Sequence, residues 1–398
     1  MSAFPDYTWL PEHHEQVVYT LAHVDSIIEQ LATILFDFQE GGVFDFVNGT
    51  RGQYSYAVIA GVHPLPPAVP RLFADGATQL RAAIEHTLFA QVEYELGTTL
   101  DEAGLDARRI EMPASVQAAD FAAWLDNGAR RKIRPLQNGQ ELVSRIRRLQ
   151  PYWHVDPLTH PMKLLAEHTN RAKHRAPSTA VTRVGPVHVE GDSRGVELAP
   201  PPPAGTPARV GDVIARSAAG IQVPIAIYPD ISVRRPHNGQ WRVLIHELND
   251  MFDWVRREAL PILITGMSGV TSLPGTIDIS VGHENAQAAL QTARSLSSFE
   301  RGSLRLQARG ARENLVDVLA APRSSASREI VGRWLAHLTD ADVVAVVHEV
   351  GDPARSGDPA SMLRAVADVA SRATAWSKEQ PTGTTAPRPA EGTDPSTI

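Results

Sequence analysis

QVVYTLAHVDSIIEQLATILFD, residues 16–37, places Val17, Leu21, Val24, Ile28, Leu31 and Leu35 at alternating spacings of four and three. At about 100° per residue these six share one face, which predicts a long amphipathic helix packed in a bundle. The seam spans under three heptads, too short for a free coiled coil. Gly41 and Gly42 then end it.

Gln53 to Val62 is aromatic and β-branched and runs into His63-Pro64-Leu65-Pro66-Pro67, a strand closing in a Pro-rich turn. Helix resumes from about Ala74 to Leu96, with Leu80, Ile84, Leu88, Phe89 and Val92 on the buried side. Shorter helices are expected over Ser115 to Trp124, Gly139 to Gln150 and Pro161 to Arg175. Val181 to Val189 reads as a strand, and Gly191 to Pro207, holding Pro200 to Pro203, as a semi-rigid connector. Short β-like runs lie between Val210 and Val233, and Trp241 to Leu260 is an amphipathic helix.

Beyond the loop Gly266 to Gly275, strands are expected at Thr276 to Val281, Leu304 to Ala308 and Asp342 to His348. The last contains five consecutive apolar residues, Val343 to Val347, as in a buried strand. Helices fill Ala286 to Ser297, Glu313 to Ala320, Ser327 to Leu338 and Met362 to Trp376. The expected fold class is therefore α+β: a mainly helical N-terminal bundle with a short flanking strand, and a smaller α/β C-terminal region. The segments are 1–178, 179–265 with the connector, 266–379, and a disordered Pro/Thr/Gly-rich tail at 380–398.

With 398 residues, 43% hydrophobic and 21% charged, the chain is long enough for more than one core. It has no cysteine, which excludes disulfides, thiolate nucleophiles and sulfur-ligated zinc and fits a cytoplasmic location. No stretch reaches the ~18 apolar residues a membrane span needs, and the first residues lack the pattern of a secretory signal. The net charge of −7 gives no overall attraction to nucleic acid. One stretch departs from that balance: Arg130, Arg131, Lys132, Arg134, Arg145, Arg147 and Arg148 face only Glu141, with Trp124 and Tyr152 flanking as stacking surfaces. It reads as an RNA-contacting patch or as a solvated basic face.

A second cluster, His168, Asn170, Lys173, His174 and Arg175, sits near a helix C-terminus, where the cations complement the negative dipole end or hold a phosphate. Metal patterns are incomplete. Glu12-His13-His14-Glu15 lies at the terminus, and His246-Glu247-Leu248-Asn249-Asp250 carries Asp250 where a zinc helix has its second histidine, so neither metal nor cofactor is expected. No P-loop or dinucleotide fingerprint is present.

Pro66-Pro67, Asp75-Gly76, Gln79 to His86, Leu149-Gln150-Pro151-Tyr152 and Glu167 to Arg175 together resemble a recurrent bacterial group of uncharacterised proteins. The resemblance covers about residues 53–177, with Glu85 where an aspartate is usual and Arg171-Ala172 where an isoleucine-aspartate pair is usual. Within it Arg81 and His86 have the R-x-x-x-x-H spacing of HEPN-domain ribonucleases. That resemblance implies metal-independent RNA cleavage in a homodimer, with His86 moving the 2′-hydroxyl or leaving-group proton and Arg81 stabilising the phosphorane. His174 would assist, and Arg130, Arg131, Lys132, Lys173 and Arg175 would hold phosphates. Five residues subtend about 500°, so the two side chains leave one helix about 140° apart and converge only with a partner element. The competing reading is a non-catalytic interaction or structural module in which Arg81 pairs with a carboxylate and His86 packs in the bundle.

Overall fold

The computed structural model describes residues 6–101, 104, 109–189, 195–200, 206–221, 225–294, 296–320, 326–355 and 357–379. The 380–398 tail lies outside them. Two compact units divide the chain, residues 1–299 and 300–398. The boundary therefore falls at 299/300 rather than at 178/179 or 265/266, because one apolar core draws side chains from Leu10 through Leu290.

In the first unit, α1 (Gln16–Glu40) buries the predicted face, and Gly41 ends it. A hairpin follows, β1 (Phe44–Arg51) and β2 (Tyr54–Val62), then the long α2 (Ala68–Leu96), which starts directly after Pro67 and stops at Gly97 in the left-handed region, φ 69°. Phe73, Leu80, Ile84, Leu88 and Val92, three or four apart save one double step, are fully buried along it. Short helices α3 (Ala118–Leu125) and α4 (Glu141–Arg148) lead to α5 (Pro161–His174). Pro161 occupies the first turn of α5, and the His160 Nδ1 accepts the Met162 amide at 3.2 Å. Phe73 meets His168 while Arg81 meets Met162, so α2 and α5 run antiparallel.

Strands β3 (Ala180–Val189), β4 (Val196–Leu198), β5 (Val213–Ala218), β6 (Ile225–Arg234) and β7 (Trp241–Val243) complete two antiparallel sheets, ordered β1-β2-β5-β4 and β3-β6-β7. Part of the Pro-rich connector is thus strand β4, while residues 201–205 lie outside the described residues. Helix α6 (Leu244–Trp254) begins only after β7 and continues through one π turn, Val255–Ala259, into α7 (Leu260–Thr265). There the Leu260 amide reaches back five residues to the Val255 carbonyl, next to Pro261, which has no N–H of its own to give. The short α8 (Ala286–Gln291) is capped by Asn285.

The second unit overturns the expected α/β region. Its described elements are helices: α9 (Ser298–Leu319), α10 (Arg328–His337), α11 (Asp340–Arg355) and α12 (Pro359–Glu379). Leu304 to Ala308 lies inside α9 and Asp342 to His348 inside α11, where Val343, Val346 and Val350 join Leu315, Leu335 and Val369 in a separate core. Packing of one helical face overrides the β-branched propensity of the run. Thr276 to Val281, in the first unit, is irregular: the Asp278 carboxylate accepts the Ser280 amide and hydroxyl, a local turn that competes with a ladder. The molecule remains α+β, its strands all in the first unit among the described residues.

Candidate functional site

Arg81 is held inside the bundle. Its guanidinium pairs with Glu85, donates to the Met112 carbonyl and touches the Met162 sulfur at 3.2 Å. Glu85 in turn accepts the Met112 amide at 2.8 Å. Burial pushes the Glu85 carboxyl up, against the pull of Arg81 and that amide. His86, five residues on, is exposed, with no bond to a described side chain. His174 is exposed at the end of α5, beside Lys173 and Arg175. Because α2 and α5 are antiparallel and Arg81 lies level with Met162, His174 stands about 18 Å along the axis in one direction and His86 about 7 Å in the other. One chain therefore does not bring Arg81, His86 and His174 together.

The basic stretch resolves into two sets. Arg130, only 4% exposed, donates to the Trp124 and Arg109 carbonyls, with its guanidinium 4.1 Å from the Trp124 ring. It is a buried tie, not the phosphate ligand expected. Arg134 donates to the Glu95 carbonyl, Arg145 to the Ile264 carbonyl at 2.7 Å, and Arg148 to the Gly266 carbonyl. All four arginines cover orphan carbonyls at helix C-termini, those of α3, α2 and α7. The Arg130–Lys132 turn is a 3-10 helix, so successive side chains leave about 120° apart, and Arg131 and Lys132 face solvent while Arg130 turns inward.

Arg131 and Arg147 flank an open cleft of about 470 Å³ whose other lining residues include Phe121, Asp126, Gln137 and Tyr152. Phe121 is only 3% exposed, covered by the stacked Trp124 ring at 5.5 Å and by Arg147 5.6 Å above its ring, while half-buried Tyr152 stands 6.2 Å away between ring centroids. Trp153, 67% exposed, adjoins Tyr152 at 5.3 Å. Burial pushes the Tyr152 phenol up, opposed by Arg147, which leaves it a neutral donor at physiological pH.

A second cleft, about 460 Å³, lies between α5, α6 and the β6–β7 turn, lined by His154, Thr159, Arg235, Gln240, Arg242 and Asp250 among others. At its base Arg235 grips Glu247 in a two-pronged pair, 2.7 and 2.8 Å. His168 places Nε2 3.6 Å from the same carboxylate, and its Nδ1 is 2.7 Å from the Ser178 hydroxyl. Burial pushes Glu247 up, but His168 and Arg235 outweigh it and bring it down to about 2. His160 is held neutral, lowered to about 4 by burial and by neighbouring His154.

The remaining sequence candidates disperse. His246 and Glu247 leave α6 in different directions, the first exposed against Phe299 and the second buried. His14 is buried against Gln91 at 2.8 Å, and burial lowers it to about 4, while His13 stacks on Tyr94. No group of three metal-ligating side chains forms among the described residues. Arg235, Gln240 and His160 were not foreseen. A usable signal existed for their partner: Glu247 falls in the stripe Leu244, Leu248, Met251, and a carboxylate on that face demands a buried cation. No helix among the described residues is long and apolar enough to cross a membrane. No protein-family model, curated protein or solved structure matches the chain.

Proposed function

We propose that this protein binds single-stranded RNA without cutting it, through the cleft beside Tyr152. The observation that carries the reading is the pairing of half-buried Tyr152 and its exposed neighbour Trp153 with two exposed arginines, Arg131 and Arg147, at one open cleft. Bases stack on aromatic faces, and cations beside them follow the backbone, a combination tolerant of sequence. Exposed Trp153 adjoins Tyr152 and extends the aromatic surface past the rim. The Arg81–Glu85 pair favours a binding role over HEPN-like cleavage, since a guanidinium already neutralised by a carboxylate has little to give a phosphorane.

The test is fluorescence anisotropy with a labelled single-stranded RNA. Tight binding by wild type, lost in Arg147→Ala and Tyr152→Ala, is the expected result. With the two exposed arginines of the cleft, the slope of log affinity against log salt is at most about 1.5 in magnitude. Incubation of cellular RNA with EDTA should leave no 2′,3′-cyclic phosphate ends. Cutting that disappears in His86→Ala would restore the nuclease, and absence of any RNA binding would leave a non-catalytic interaction or structural module.

A further inference from the structure

The β1-β2-β5-β4 sheet has two edges of unequal character. On one, β4 offers three residues; on the other, β1 offers eight, Phe44–Arg51, with seven of them exposed. Natural edges of that length are blunted by lysine, proline or a covering segment. β1 holds neither lysine nor proline, and the irregularity in its pairing puts the extra residue, Ala60, on β2. Phe46 is 42% and Val47 51% exposed.

The direction of the unused hydrogen-bonding groups follows from the hairpin. A two-residue turn, Gly52 and Gln53, makes Arg51 and Tyr54 the closing hydrogen-bonded pair. By alternation Gly49 and Val47 turn their N–H and C=O groups toward β2, while Phe46, Asn48 and Thr50 turn theirs outward. An antiparallel second β1 centred on Asn48 matches this pattern: Asn48 faces Asn48, Phe46 faces Thr50, and the outward groups meet. The same register sets Asp45 opposite Arg51 twice, once on each side of the axis. Both charges are exposed, and among the described residues Asp45 is otherwise engaged by His63 at 3.2 Å.

We propose that the chain pairs with a second copy of itself through β1, antiparallel about a two-fold axis at Asn48, joining two four-stranded sheets into one. This is an isologous interface, in which one patch serves both copies and the association closes at two. It names a surface for the homodimer and stands apart from the RNA reading, since neither Asp45 nor Arg51 lines the aromatic cleft.

Sedimentation of the full chain tests it. Wild type should dimerise, Asp45→Arg and Arg51→Asp should each raise the dimer Kd on the order of tenfold by setting like charges opposite each other twice, and the double exchange should restore it. Arg51→Asp leaves the His63 contact alone, so agreement between the singles excludes a local effect at Asp45. Because the chain has no cysteine, Asn48→Cys introduces a lone thiol on the axis, and a short bifunctional thiol reagent should link it to its twin where an exposed Ser144→Cys stays unlinked. A monomer throughout the micromolar range, a dimer indifferent to the charge variants, or no linking at position 48 would each overturn the proposal.

Discussion

The two clefts of the first unit enclose nearly equal volumes, about 470 and 460 Å³, and treat charge in opposite ways. In the aromatic cleft Arg131 and Arg147 are exposed, and neither is ion-paired to a carboxylate among the described residues. In the α5–α6 cleft Arg235 and Glu247 are already paired with each other beneath the surface, with His168 Nε2 3.6 Å from the same carboxylate. What distinguishes the two is whether the charges are committed to the fold or left over after folding.

The largest effect should come from the committed set. Glu247→Gln strands the Arg235 guanidinium in a buried site and should cost about 3–5 kcal/mol in denaturant unfolding. Arg147→Ala, in the other cleft, should stay within about 0.5 kcal/mol. Equal costs would collapse the distinction.

Acid separates the same groups. Glu247, held near 2 in the folded chain against an ordinary 4.5, contributes stability that is present above about pH 4.5 and lost as pH falls toward 2, on the order of 3 kcal/mol. His14 and His160, lowered to about 4 from 6.5, favour folding while neutral, and that contribution is lost earlier, as pH falls from 6.5 to 4. Thermal melts across pH should show both limbs, and Glu247→Gln should flatten only the lower one.

Tyr152→Ala comes next and reads binding instead of folding: it should weaken RNA affinity by about 1–3 kcal/mol in anisotropy. Arg145→Ala removes a carbonyl cap from α7 and should cost about 1 kcal/mol of stability while leaving the salt slope of RNA binding unchanged. A reduced slope would mean that a fold-committed arginine also reads phosphate. The smallest effect expected is that of His86→Ala, which should alter neither melting temperature nor RNA affinity.

Much of the first unit was legible because its helices repeat apolar residues over several turns, as in Val17 to Leu35. β1 was not, since Phe44, Asp45, Phe46 and Val47 lead into Asn48-Gly49 with no clean alternation. In the second unit the sequence carried the right signal beneath a stronger one. Thr339 and Asp342 cap α11, the Asp342 amide bonding the Thr339 hydroxyl at 3.2 Å and that hydroxyl the Asp342 carboxylate at 2.6 Å. Five valine and alanine residues in a row concealed it. Likewise Leu304, Ala308, Leu315 and Leu319 keep helical spacing through a segment whose local alternation reads as strand. For the candidate site, the sequence set Trp124 and Tyr152 beside the arginines, and Tyr152 does line the cleft that Arg131 and Arg147 flank. Which cations would be free was not readable, because that depends on carbonyls as remote as Glu95 and Ile264.

The π turn between α6 and α7 carries an implication for how the chain tolerates changes in length. A π turn is an α-helix holding one residue more than its rise requires, so Val255–Ala259 stores a spare residue in the middle of the core. Removing one residue there lets the backbone relax into an ordinary α ladder that still delivers Leu260 and Leu263 to their places. The same deletion in α1 would swing every later side chain about 100° off its seat.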